Sequence, residues 1–282
     1  LGAVIGLVLA AGVMGASLPQ AAFRWSDLPQ HLLLIHAWGT TAAVGWNFPS
    51  WSISAEWAAY LAFPALLGAV LALRQRPMAA VVLCLIGCIG TYAFLDTAHL
   101  RPGFEHLGQG FSQMTAQIGA LRILPTFTLG CALYVLVRDR PAPAWAGWPL
   151  TLSGVLGIIL ITQFALPLPL AWPCLGMIVV GLAEASRHKL DRPLAGPRLV
   201  ALGAASYALY MLHLPIDIVA GQAAELAGIG PDSPLALKWV SLAVVLATCV
   251  AVSLLAHALV EEPARKAIRA IKLPSLWPIK RA

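Results

Sequence analysis

Between Glu56 and Arg74 no residue carries a charge. Apolar runs of similar length recur at approximately 1–18, 53–73, 78–95, 118–137, 145–163, 169–184, 199–220 and 236–260. A bilayer hydrocarbon core of about 30 Å takes roughly 17–25 residues of helix. Only 11% of the chain is charged, whereas soluble domains carry about 25%. The chain therefore reads as all-α, a polytopic transmembrane helical bundle of about eight spans. One transmembrane domain is expected to cover 1–282. The apolar piece Leu32 to Trp38 is too short to span and is expected at the interface or as a re-entrant segment, buried in protein or facing water.

Loop charges set the expected orientation. Arg74 and Arg76 follow the second run, and Arg138 and Arg140 follow the fourth. Arg187, Lys189, Arg192 and Arg198 follow the sixth, and Arg265, Lys266, Arg269, Lys272, Lys280 and Arg281 follow the eighth. The intervening loops are poor in base. Positive charge gathers in cytoplasmic loops, so both termini are expected in the cytoplasm and Pro49 to Glu56 at the outer face of a plasma (inner) membrane.

Several function classes drop out. The net charge of +6 belongs to those loops, and no basic run interleaved with aromatics suggests nucleic acid. The five cysteines lie in apolar runs with no C-x-x-C pair, as small core hydrophobes do. No metal role is expected, and no P-loop, G-x-S-x-G elbow or H-E-x-x-H occurs. Internal repeats with paired broken helices, the pointer to a secondary transporter, are absent. Leu1 to Leu18 has no basic n-region and does not look like a signal peptide. Nothing in the sequence specifies an oligomeric state.

Polar residues stand out against this background. Glu56 sits inside an apolar run behind Trp51, Ser52 and Ser54, and a charge at a span centre costs roughly 2.5–3.5 kcal/mol. The bland alternative is a structural carboxylate hydrogen-bonded by Ser52 or Ser54 at a helix start. In the seventh run, Ser206, Tyr210 and His213 fall at steps of four and three on one helical face, with Tyr207 displaced by one. That stripe is expected to face the bundle interior, with Pro215 kinking the helix just past His213. A polar interhelical lock accounts for it equally well. Arg122 lies early in its span, either snorkelling to headgroups or partnering an anion or Glu56. The tail after Val260 alternates acid and base, as a membrane-surface helix does. His31 and His36 flank a short apolar piece and are expected at the interface. Glu184 and Asp217 lie near span ends, where charge is cheap.

Four segments resemble the membrane-bound acyltransferase type 3 family. WSISAEWAAYLAFP is similar to its WSLSxEWxFYLxFP signature, and SYALYMLHLP to SYxLYLxHxP. LRILPTFTLG resembles its arginine-led FxLG helix, and VEEPAR its E-x-P-x-R exit. The order agrees over essentially the whole chain. The family has ten helices, and the eight runs match the last eight. Its first two helices, with a histidine thought central to acyl transfer and an arginine loop associated with the donor, have no counterpart here.

The resemblance implies an integral membrane O-acyltransferase with acyl-CoA, expected to be acetyl-CoA, as donor substrate and no bound cofactor. The acceptor is an extracytoplasmic carbohydrate, lipid or small-molecule hydroxyl, and membrane lipids are partners. It assigns Glu56 and His213 as candidate catalytic residues. Trp51, Ser52, Ser54, Tyr60, Arg122, Ser206, Tyr207 and Tyr210 are candidate binding residues. The competing readings are an exporter of an acylated metabolite, which needs no donor, and a scaffold with polar locks.

Overall fold

The computed structural model describes residues 24–41, 45–97, 115–192 and 194–271. The expected first span, 1–18, lies outside them. The described residues form helices and turns without strands. Six helices are long and apolar enough to cross a membrane, or seven if one bent pair counts as a single span. They fall on the expected runs.

The described residues belong to two compact units, one within Pro19–Leu194 and the other within Ala195–Ala282. The first holds the short α1 (Leu28–Leu32), a π turn (His36–Thr40), and five long helices. These are α2 (Ser50–Ala72), α3 (Pro77–Asp96), α4 (Thr115–Asp139), α5 (Gly147–Gln163) and α6 (Ala171–Arg187). α2 and α3 both pack on α4, and α5 pairs with α6. Val70, Ala80, Val81, Cys88, Leu129, Ala132, Leu133 and Val135 form the core. Most of these side chains are small. Lipid is as apolar as a core, so helices in a membrane associate by close van der Waals packing, and small residues permit it. Leu61, Phe63, Ile86 and Leu156 project outward from the same helices, as lipid-facing side chains do.

Glu184 departs from the expectation that it sits cheaply at a span end. It is completely buried. Its Oε1 accepts the Ala142 backbone N–H at 3.1 Å, and its Oε2 lies 3.4 Å from Nε of Arg187. Arg187 in turn donates to the Val137 carbonyl at 2.8 Å. The carboxylate ties the Arg140–Pro143 segment and the end of α4 to the last turn of α6. Glu184→Ala strands the Ala142 donor and is expected to cost about 2–4 kcal/mol. Glu184→Gln can keep that bond and is expected to cost less. Thermal unfolding in detergent checks both.

The second unit contains α7 (Pro197–Ala204), α8 (Ser206–Leu226), α9 (Leu235–Ala256) and α10 (Glu262–Ala270). α7 and α8 meet at 62°. The bend lies at Ala205, where ψ is 0°, not beyond His213 as Pro215 suggests. α8 runs through Pro215 without a break. A missing N–H inside a span is tolerated where local adjustment re-satisfies the backbone. A π turn over His257–Glu261 carries α9 into α10. There His257 Nδ1 lies 2.8 Å from Glu261 Oε2, and Lys266 pairs with Glu262 at 2.7 Å. The charge-alternating tail thus forms the expected helix.

Candidate active site

The start of α2 is gripped by the segment before it. Pro49 ends the approach, and the first serines turn their hydroxyls away from capping. Ser50 Oγ donates to the Asn47 carbonyl at 2.7 Å, and Ser52 Oγ to the Pro49 carbonyl at 3.2 Å. Ser54 Oγ accepts the Ala37 N–H at 3.0 Å, and its carbonyl accepts the Trp38 indole N–H at 2.7 Å. Neither Ser52 nor Ser54 bonds to Glu56, so the serine-held carboxylate is not what forms.

His31 and His36 are buried in protein: His36 has no exposed surface and His31 is 7% exposed. Their rings stack with centroids 4.0 Å apart and planes 18° apart. Ser50 Oγ lies 3.1 Å from His36 Nε2, and Thr41 Oγ1 donates to the His36 carbonyl at 2.8 Å. Left-handed backbone at Leu34 and Trp46, each with φ 56°, folds this segment back on itself. Non-glycine residues pay for that geometry, which gathers at functional sites. Trp46 is held by its indole N–H on the Arg24 carbonyl at 3.2 Å and by an edge contact with Trp25.

Burial, and then the neighbouring His31, push His36 down to about 4, against the opposing effect of the Gln30 and Ser50 backbone. Burial also lowers His31, opposed by Asp27. Both imidazoles are therefore held neutral. The unfolded chain binds a proton at His36 near pH 6.5 while the folded one does not, so stability falls as pH drops from 6.5 to about 4. The loss is expected on the order of 2–3 kcal/mol from His36. His36→Gln should flatten the pH dependence of the unfolding temperature in that window.

The candidate residues on α2 lie around this grip. Glu56 is half-buried, and its Oε2 accepts the Tyr60 hydroxyl at 3.3 Å, one turn on. Tyr60 makes an edge contact with Phe127 of α4 at 5.9 Å. Arg122, also on α4, places its guanidinium 4.9 Å from the Trp51 ring centre. α4 comes this close because Gly119 has no side chain: a Cβ there would lie 2.9 Å from Ala37 Cβ. Trp51, Ser52, Ser54, Glu56, Tyr60 and Arg122 thus belong to one neighbourhood of the first unit. A carboxylate paired with a phenol can accept or return a proton, and a cation over an indole can hold an anionic group nearby.

The second cluster lies on α8. Ser206 Oγ donates to the Gly203 carbonyl at 2.7 Å, across the bend. His213 Nδ1 lies 2.7 Å from the Tyr210 carbonyl. A carbonyl only accepts, so the neutral ring carries its proton on Nδ1 and its lone pair on Nε2. Ser206, Tyr207, Tyr210 and His213 are exposed, whereas Ala208, Pro215 and Ile216 are buried. Ser206 and His213 each meet a backbone carbonyl of their own chain.

Residues 1–258 match the family model described as an acyltransferase domain. The chain belongs to the acyltransferase 3 family. Among curated proteins, acyltransferase MdmB of Streptomyces mycarofaciens is 28% identical over 225 residues, covering 74% of this chain and 56% of MdmB. The chain thus spans little more than half the length of that relative. No solved structure matches. Within this acyltransferase 3 chain, the buried His31–His36 stack escaped sequence reasoning. The signal that could have found it is the Ser50–Ser54 spacing, which points two hydroxyls one turn apart toward whatever precedes α2.

Proposed function

We propose that this chain forms the membrane part of an O-acyltransferase. It moves an acyl group, acetyl in the first instance, from cytoplasmic acyl-CoA to a hydroxyl on an extracytoplasmic glycan, lipid or small molecule. The reading rests on membership of the acyltransferase 3 family together with an acidic side chain kept half-buried in a span. Glu56 pairs with Tyr60, and Arg122 lies over Trp51 at the start of the same helix. The acceptor oxygen forms a bond to the acyl carbon, the C–S bond breaks, and the hydroxyl proton passes through a base to the departing thiolate. Glu56 serves as general acid and base, and Arg122 steadies negative charge on the donor or the tetrahedral intermediate. Trp51, Ser52 and Ser54 shape the mouth.

His213, with its Nε2 lone pair, is the candidate base of α8, and Ser206, Tyr207 and Tyr210 are its candidate binding partners. Both termini lie in the cytoplasm and the α2 mouth at the outer face of the plasma (inner) membrane, which puts the acceptor in the cell envelope, for example a surface polysaccharide. The test is mass analysis of envelope glycans and lipids from cells with and without the gene. A missing acyl mass, restored by the wild-type gene, supports the reading and names both group and acceptor. Identical masses with the protein expressed contradict it.

A further inference from the structure

His36 is placed to do more than fill space. Ser50 has one proton and gives it to the Asn47 carbonyl at 2.7 Å. Its oxygen is therefore an acceptor toward His36, and the imidazole must donate from Nε2 across the 3.1 Å contact. His36 Nδ1 is buried without a hydrogen bond of good geometry, as is Nε2 of His31. A buried polar atom left in this way calls for a reason. Here the stacked His31 ring covers one face of His36, while Nε2 and the next peptide hold α2. The Ala37 N–H and the Trp38 indole reach Ser54, one turn beyond Ser50. Two rungs one turn apart fix the rotation of a helix about its own axis, which a single bond does not.

We propose that His36 is a positioning residue: through Ser50 it sets the rotation of α2 and so the directions of Trp51 and Glu56. The proposal rests on the reading of the α2 mouth as the acyl-transfer site. The titratable group that faces His36 is His31, stacked on it at 4.0 Å, and Asp27 in turn acts on His31. A second positive charge in the stack would face His31 at ring-contact distance, so protonating His36 should loosen the grip.

Three variants separate the possibilities. His36→Gln can place an N–H where Nε2 stands, His36→Asn can mimic only Nδ1, and His36→Ala supplies neither. Amide exchange of Ala37 and of residues 50–57 is measured in the intact protein in lipid nanodiscs, together with acetyl-CoA-dependent turnover in membranes. In Ala and Asn, exchange of these amides should quicken about tenfold or more. Their kcat should fall roughly tenfold to a hundredfold with KM within about twofold. Gln should restore both readouts. Unchanged exchange in Ala and Asn overturns the proposal, as does quicker exchange with unchanged turnover, or rescue by Asn and not by Gln. A wild type without turnover contradicts the acyl-transfer reading instead, and the exchange data still decide whether His36 holds α2.

Discussion

Glu56→Gln is expected to lower acyl transfer by about 10²-fold or more, with the protein still folded and inserted. Gln has nearly the same volume, and its amide oxygen can still accept the Tyr60 hydroxyl that Glu56 Oε2 accepts at 3.3 Å. Glu56 is only half-buried and lies near the start of α2, so removing its charge strands no buried partner. Stability should therefore hold while turnover collapses. That combination separates a functional carboxylate from a structural one, since the structural reading predicts lower stability and unchanged turnover. Turnover per folded molecule, from labelled acetyl-CoA in membranes with detergent-solubilised protein quantified by size exclusion, gives both numbers. Wild-type turnover in the variant removes Glu56 from the chemistry.

Gly181→Leu is expected to abolish accumulation of folded protein. A Cβ at Gly181 would lie 2.5 Å from Thr151 Oγ1, 2.6 Å from the Thr151 N and 2.6 Å from the Gly147 carbonyl. Two of those three atoms are backbone, and Thr151 is buried with its hydroxyl on the Gly147 carbonyl. No rotamer can relieve the clash, so α5 and α6 must separate. Overpacking of this kind costs about 3 kcal/mol or more. The same helix pair carries the Glu184 tie to the Arg140–Pro143 turn, so spreading it loosens that end as well. Gly87→Ala is the control: nothing lies within 4 Å of its Cβ, and the change should be neutral or slightly stabilising. Fluorescence-detected size exclusion of the two variants side by side reads the difference.

The membrane helices were legible because one physical quantity governs them. A run of roughly 20 predominantly apolar residues with few charges has few other places to go, and α2 to α6, α8 and α9 all lie on such runs. What was not legible depends on contacts between segments distant in sequence. The burial of His36 depends on left-handed turns at Leu34 and Trp46, conformations that neither residue type advertises. Glu184 looked cheap at a span end because sequence does not show that the Arg140–Pro143 turn folds back on it. The bend at Ala205 in place of Pro215 has the same origin, since a proline marks where a helix can break, not where tertiary structure makes it break. The α2 residues Trp51 to Tyr60 were found together because one helix carries them. Their link to Arg122 needed the fold, through the close approach that Gly119 allows.

The most direct measurement supplies radiolabelled acetyl-CoA to the cytoplasmic face of sealed, inverted membrane vesicles, with and without the intact protein. Label appearing in glycan or lipid inside the vesicles, dependent on the protein and lost with Glu56→Gln, is the predicted result. Donor left unconsumed by folded protein in vesicles that contain the cell's own envelope acceptors would contradict the account.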